Sequence, residues 1–135
     1  MIDKESIPLV CIDKMNEIHF EEIDILNTLW KLIESCDDAS EITAQIQVLV
    51  EHMQQHFSYE ENLMRDKNYP MYSIHQADHN KVLNATRYAM MDWRSSKDRD
   101  SLSEYFKEEL IEWLDQHIKA MDTPAAEFLV TSSNN

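Results

Sequence analysis

At 135 residues the chain is one domain, long enough to close a hydrophobic core without disulfides or a structural metal. Its 12 Lys+Arg against 26 Asp+Glu give a net charge of −14, which repels phosphate backbones and anionic lipid and argues against nucleic acid and membrane surfaces as partners. There is no Gly, the residue that supplies the left-handed positions of tight hairpins, which argues against a many-stranded β fold.

No apolar run approaches the ~18–20 residues of a membrane-spanning helix. The opening Met1-Ile2-Asp3-Lys4-Glu5 has neither the basic nor the apolar region of a secretory signal. Cys11 and Cys36 form no CxxC pair. A cytoplasmic protein with reduced, packed thiols is expected, and the charge favours a monomer.

In chain order, residues 1–14 read as an irregular arm, with Pro8 opposing a helix. A first helix is expected from about Met15 to Cys36, where Met15, Ile23, Leu26, Trp30 and Ile33 recur at helical spacing with His19 on the same stripe. After the polar break Asp37-Asp38-Ala39, Ser40 is the expected N-cap of a second helix, from Glu41 to Lys67. Its stripe is Ile42, Ile46, Leu49, Met53, His56, Glu60, Leu63 and Met64. Pro70 suits the first turn of a third helix, Met71 to Trp93, with His75, His79, Val82, Thr86 and Met90 inside.

Residues 94–100 are the expected third loop, and a fourth helix runs from Ser101 to Met121 with Leu102, Phe106, Leu110, Trp113, Leu114 and His117 inside. Thr123-Pro124 is expected to stop it, leaving residues 123–135 as a polar tail. The predicted fold is all-α: an up-down-up-down antiparallel four-helix bundle over about residues 15–122, with helices about 30–40 Å long. One domain accounts for residues 1–135.

The histidines demand more than a plain bundle. Five of the six lie on the apolar stripes, at least one on each helix. His75 and His79 are i, i+4, as are His56 and Glu60, so each pair projects from one face a turn apart. An unpaired carboxylate at Glu60, among apolar neighbours, would be costly, and a cation removes the cost. In an antiparallel bundle His19, His56, Glu60, His75, His79 and His117 all stack at one end.

Asp122 is a candidate seventh group. Five residues after His117, it lies about 140° round an ideal helix. It turns inward only if the helix ends or widens near Pro124, and is otherwise an exposed acid. Five imidazoles and two carboxylates are too many ligands for one ion and suit two ions bridged by carboxylates. An imidazole-rich, thiolate-free set favours iron, copper, zinc or nickel over magnesium or calcium. Two octahedral ions sharing one bridging oxygen leave a single open position for a small ligand. His52, one turn before His56, reads as solvent-facing, with an inward hydrogen-bonding role as the alternative.

These residues resemble the hemerythrin family, and its bacterial single-domain members in particular. The matching elements are His56-Phe57-Ser58-Tyr59-Glu60-Glu61 with Met64, Tyr69-Pro70, His75-x3-His79, and Trp113-x3-His117-Ile118-x3-Asp122. The first helix fits less tightly, with Met15-Asn16-x2-His19 and Asn27. The resemblance spans about residues 8–124. It implies two irons with an oxo or hydroxo bridge. His75, His79 and His117 would hold one; His19 and His56 would hold the other. Glu60 and Asp122 would bridge the pair. It further implies that dioxygen binds reversibly at the iron with two histidines, for carriage, storage or delivery rather than turnover. Leu114, Phe57 and Ile118 would wall the oxygen pocket. The competing expectation is a di-iron oxidoreductase, or a nitric-oxide or iron-repair protein of the hemerythrin-like group. The Glu-x-x-His pairs of carboxylate-rich di-iron enzymes are absent, since Asn16, Met53, Tyr72, Gln76 and Leu114 stand three before the candidate ligand histidines.

Overall fold

The computed structural model describes residues 2–35 and 38–133, without the side chains of residues 132 and 133. Four long antiparallel helices form the predicted bundle: α1 (Asp13–Ser35), α2 (Ala39–Asp66), α3 (Tyr72–Ser96) and α4 (residues 99–133). Among the described residues there is no strand, and no helix is long and apolar enough to cross a membrane.

The bundle core follows most of the predicted stripes. Met15, Ile23, Leu26, Ile42, Ile46, Leu49 and Phe106 are all almost completely excluded from solvent, whereas Leu63, Met90 and Trp113 are only partly buried. At about 1.5–3 kcal/mol for each large apolar side chain removed from water, this layer is the main force closing the bundle. The arm is less irregular than expected. It makes a short helical turn at Lys4–Ser6 and buries Ile7 and Val10. Two asparagines hold it by paired backbone contacts. Asn16 accepts from Val10 N–H (2.9 Å) and donates to Val10 O (2.8 Å). Asn27 does the same for Ile2, at 2.9 and 3.0 Å. The packed-thiol expectation fails for Cys11, which is exposed and free, because the arm turns it outward; Cys36 lies outside the described residues.

Two helix starts differ from expectation. Asp38, not Ser40, caps α2, its carboxylate accepting from Ser40 N–H (2.9 Å) and Ser40 Oγ (2.6 Å), so α2 begins two residues early. The predicted loop at 94–100 shrinks to two residues. Lys97 adopts a left-handed conformation (φ 55) that ends α3, and Asp98 caps α4 through Asp100 and Ser101 N–H.

The largest departure is at the C-terminus. α4 does not stop at Thr123-Pro124 but continues to Ser133. It contains two widened π turns, Tyr105–Glu109 and Ile118–Asp122. In the second, Thr123 N–H reaches back five residues to Ile118 O. This re-registers the helix and places Pro124 at the start of a new segment, where its missing N–H is tolerated. The extension buries Ala125 and Leu129 against Met64, with Ile12, Tyr69, Tyr72 and Phe128 around them. The histidine-bearing end of the bundle is therefore closed by a second apolar cluster rather than open to solvent.

Candidate metal centre

All four helices deliver side chains to one layer. His19, His56, Glu60, His75, His79, His117 and Asp122 are each at most 2% exposed. The π turn settles the position of Asp122. One extra residue in the turn lets i+5 take the place of i+4, so Asp122 comes under His117 and its exposure falls to zero. His117 itself does not lie near the end of its helix, because α4 runs on past it.

The two carboxylates have a specific geometry. Glu60 turns Oε1 to His75 Nε2 (3.4 Å) and His79 Nε2 (3.2 Å), and Oε2 to His56 Nε2 (2.7 Å) and His19 Nε2 (3.8 Å). Asp122 turns Oδ1 to His75 Nε2 and His117 Nε2 (both 3.0 Å), and Oδ2 to His19 Nε2 (3.2 Å). Each acid thus presents one oxygen to a three-histidine group and the other to a two-histidine group. The resulting donor sets are Glu60, His75, His79, His117, Asp122 and His19, His56, Glu60, Asp122. Within each set, one donor atom per residue lies within 4.8 Å of the others.

Three further acids fix the imidazoles from behind. His79 Nδ1–H donates to Glu61 (2.9 Å), His117 Nδ1–H to Asp78 (2.6 Å) and His56 Nδ1–H to Glu22 (3.2 Å). A carboxylate only accepts, so each of these nitrogens carries the proton and Nε2 faces the centre. His117 Nε2 then lies 3.2 Å from His75 Nε2 and 3.1 Å from His79 Nε2, an arrangement that places ring nitrogens lone pair to lone pair unless a proton or cation lies between them. The rings are further constrained by stacking of Phe57 on His79 (4.0 Å) and Trp113 on His117 (4.4 Å).

Electrostatics carry the same message. Burial alone would lower the His19 and His75 pKa values, but the nearby carboxylates of Asp122 and Glu60 override it and raise both to about 9. His56 rises well above its ordinary value against the same burial, through Glu60 and Glu22. Glu60 and Asp122 are held below the usual carboxylate range, although burial opposes this, chiefly by the neighbouring imidazoles. Without metal, protons on the imidazoles balance the buried acids. Even so, His19 Nε2, Glu60 Oε1 and Asp122 Oδ2 are buried without an aligned hydrogen-bond partner. Orphaned donor atoms turned toward one another in a dry core fit cations and fit little else.

Of the expected pocket residues, Leu114 lines a small internal cavity of about 10 Å³, near the minimum volume for one water molecule. Leu26, Leu49, Met53, Leu110 and Trp113 also line it, together with the carboxylate-bearing Glu22. Phe57 lies instead against His79, and Ile118 is fully buried in the core. His52 is not solvent-facing: its side chain is 16% exposed, held between Glu22 (3.3 Å) and Glu21 (3.1 Å). The sequence reading gives no role to the acids Glu22, Glu61 and Asp78, although Glu61 closes the motif around His56 and Glu60. Glu22 alone carries a local signal, being three residues after His19 on the same helical face.

The hemerythrin HHE cation-binding domain model matches residues 10–127. A bacteriohemerythrin of Aquifex aeolicus is 29% identical over 115 residues, covering 85% of this chain and 87% of that protein. A bacteriohemerythrin of Stenotrophomonas maltophilia is 26% identical over 116 residues, covering 86% and 73%. A crystal structure of wild-type hemerythrin shares the fold with a TM-score of 0.76, at 22% identity, over 87% of this chain and 88% of that one.

Proposed function

The chain belongs to the hemerythrin family, and from that premise we propose that it binds dioxygen reversibly at a di-iron centre. The observation that carries this reading is the pair of buried acids, Glu60 and Asp122, each with one oxygen toward His75 and its neighbours and the other toward His19. His75, His79 and His117 would hold one ion and His19 and His56 the other, with Glu60 and Asp122 available to both. The five imidazoles are neutral as ligands, so the formal charge of the donor set is that of Glu60 and Asp122, which would offset half the charge of two divalent ions.

The iron pair, when bound, supplies the two electrons that dioxygen takes on binding and returns on release. The chain's own contribution is positioning and exclusion. Glu61, Asp78 and Glu22 keep Nδ1 protonated and Nε2 aimed inward. Leu114 and the other cavity residues one turn deeper keep bulk water from the three-to-two asymmetric centre. The cluster of Met64, Ala125 and Leu129 shields its other side. His19 and His56 would give their ion one protein ligand fewer than His75, His79 and His117 would give the other, leaving room there for a small molecule.

The test is an oxygen cycle. Protein loaded with iron and reduced without air should change its visible spectrum on oxygen addition and recover it on deoxygenation over several cycles. Rapid, irreversible oxidation with oxygen consumption in every cycle would replace binding by turnover.

A further inference from the structure

One buried acid belongs to neither donor set. Glu22 lies on α1 with its side chain 6% exposed, among Leu26, Leu49, Met53 and Leu114. In such surroundings an unpartnered carboxylate would be expelled or neutralised. It is instead held by two imidazoles of α2. Its Oε2 is 3.2 Å from His56 Nδ1, and its Oε1 is 3.3 Å from His52 Nδ1. His52 continues outward, its Nε2 3.1 Å from Glu21 Oε2, on a more exposed side chain. An unbroken chain Glu21–His52–Glu22–His56 therefore runs from the surface to a ligand of the two-histidine ion.

Resting on the two-ion reading above, we propose that Glu22, anchored by His52, is the positioning residue of the two-histidine end of the centre. It fixes His56 with its proton on Nδ1 and its Nε2 lone pair inward, and adds a buried negative charge behind the ligand. His79 and His117 have analogous acids, Glu61 and Asp78, but those acid side chains are 16% and 25% exposed. Glu22 is drier, at 6% exposed, so its charge is less screened. The two-histidine ion has the fewest protein ligands, and His19 has no hydrogen-bond partner at Nδ1. It depends most on the one imidazole that is oriented. His52 explains its own burial in the same way: it supplies the second donor that keeps Glu22 turned toward His56 rather than out to water.

The test loads the full chain with ferrous ion without air and challenges it with a chromogenic ferrous chelator. Two ions should leave the wild type in separable steps. His19→Ala, which removes a ligand of the two-histidine ion only, identifies the step that belongs to the other ion. In Glu22→Leu the two-histidine ion should be held about 10–100-fold more weakly, with the three-histidine ion little changed. Glu22→Gln, whose amide oxygen still accepts from Nδ1–H but carries no charge, should fall between, and also serves if the leucine variant does not fold. His52→Ala should shift the same step in the same direction by less. Helical content by circular dichroism should be unchanged in all of them. Wild-type retention of both ions in the Glu22 variants, or equal weakening of both, would overturn the positioning role. If the wild type itself holds fewer than two ions, the two-ion reading fails and this inference fails with it.

Discussion

Removing Glu60 should damage the protein in two separable ways. In the metal-free chain its two oxygens serve four imidazoles, His56, His19, His75 and His79, at 2.7–3.8 Å in a site excluded from solvent. Glu60→Ala leaves those rings with Asp122 as the sole acid between the two histidine groups. Breaking a buried pair by deleting one partner costs about 3–5 kcal/mol. For a domain between the sizes usually tabulated, this lowers the melting temperature by roughly 10–20 °C. In the loaded protein the same change removes an oxygen from each ion, so the two-ion centre should be lost outright rather than weakened. Thermal unfolding followed by circular dichroism, with and without chelator, measures the first effect, and iron analysis after anaerobic loading measures the second. A Glu60→Ala protein that melts with the metal-free wild type and still takes up two irons would refute the reasoning, since neither the charge pairing nor the bridge would then depend on this acid.

Other expectations follow from the same geometry. Leu114→Ala should retain two irons and speed loss of the oxygen-bound spectrum. Because Leu110 lines the same cavity, the control is Leu102→Ala, equally buried and absent from that lining; equal autoxidation in the two variants would remove Leu114 from the pocket wall. Leu129→Ala should cost about 2–5 kcal/mol, whereas Val130→Ala, at an exposed position, should fall within about 0.5 kcal/mol of wild type; equal melting temperatures would show that the α4 extension is not docked. The metal-free protein should lose stability as pH rises from about 6.5 to about 9, because folded His19 and His75 hold protons that the unfolded chain has shed. That contribution is complete below pH 6.5 and gone above 9. Iron loading should flatten this slope, which pH-dependent melting curves of both forms will show.

The bundle and six of its seven inward polar groups, all but Asp122, are legible because helical periodicity and ligand spacing are the same signal. A histidine on an apolar stripe is visible in one dimension. What lay beyond reach depends on pairs of helices. Glu61 stands beside Glu60 in sequence but serves His79 on α3, and Asp78 beside His79 serves His117 on α4. Neither spacing announces its partner. Glu22 sits in an acidic run, Glu21-Glu22-Ile23-Asp24, which reads as a solvated face until His52 and His56 are brought against it. Pro124 misled for a related reason. Proline stops an α-helix because of the carbonyl four residues back, and the π turn before it changes that register. The same turn brings Asp122 inward, so one local deviation accounts both for the missed helix and for the ligand whose spacing was ambiguous.

The central claim is that Glu60 and Asp122 join two metal ions held by unequal numbers of histidines. Anomalous diffraction at the iron edge from crystals of the iron-loaded protein tests it most directly. Two peaks about 3.5–4 Å apart are predicted, one beside His75, His79 and His117 and one beside His19 and His56, with both carboxylates between them. A single peak, or two peaks with either acid turned away, would contradict it.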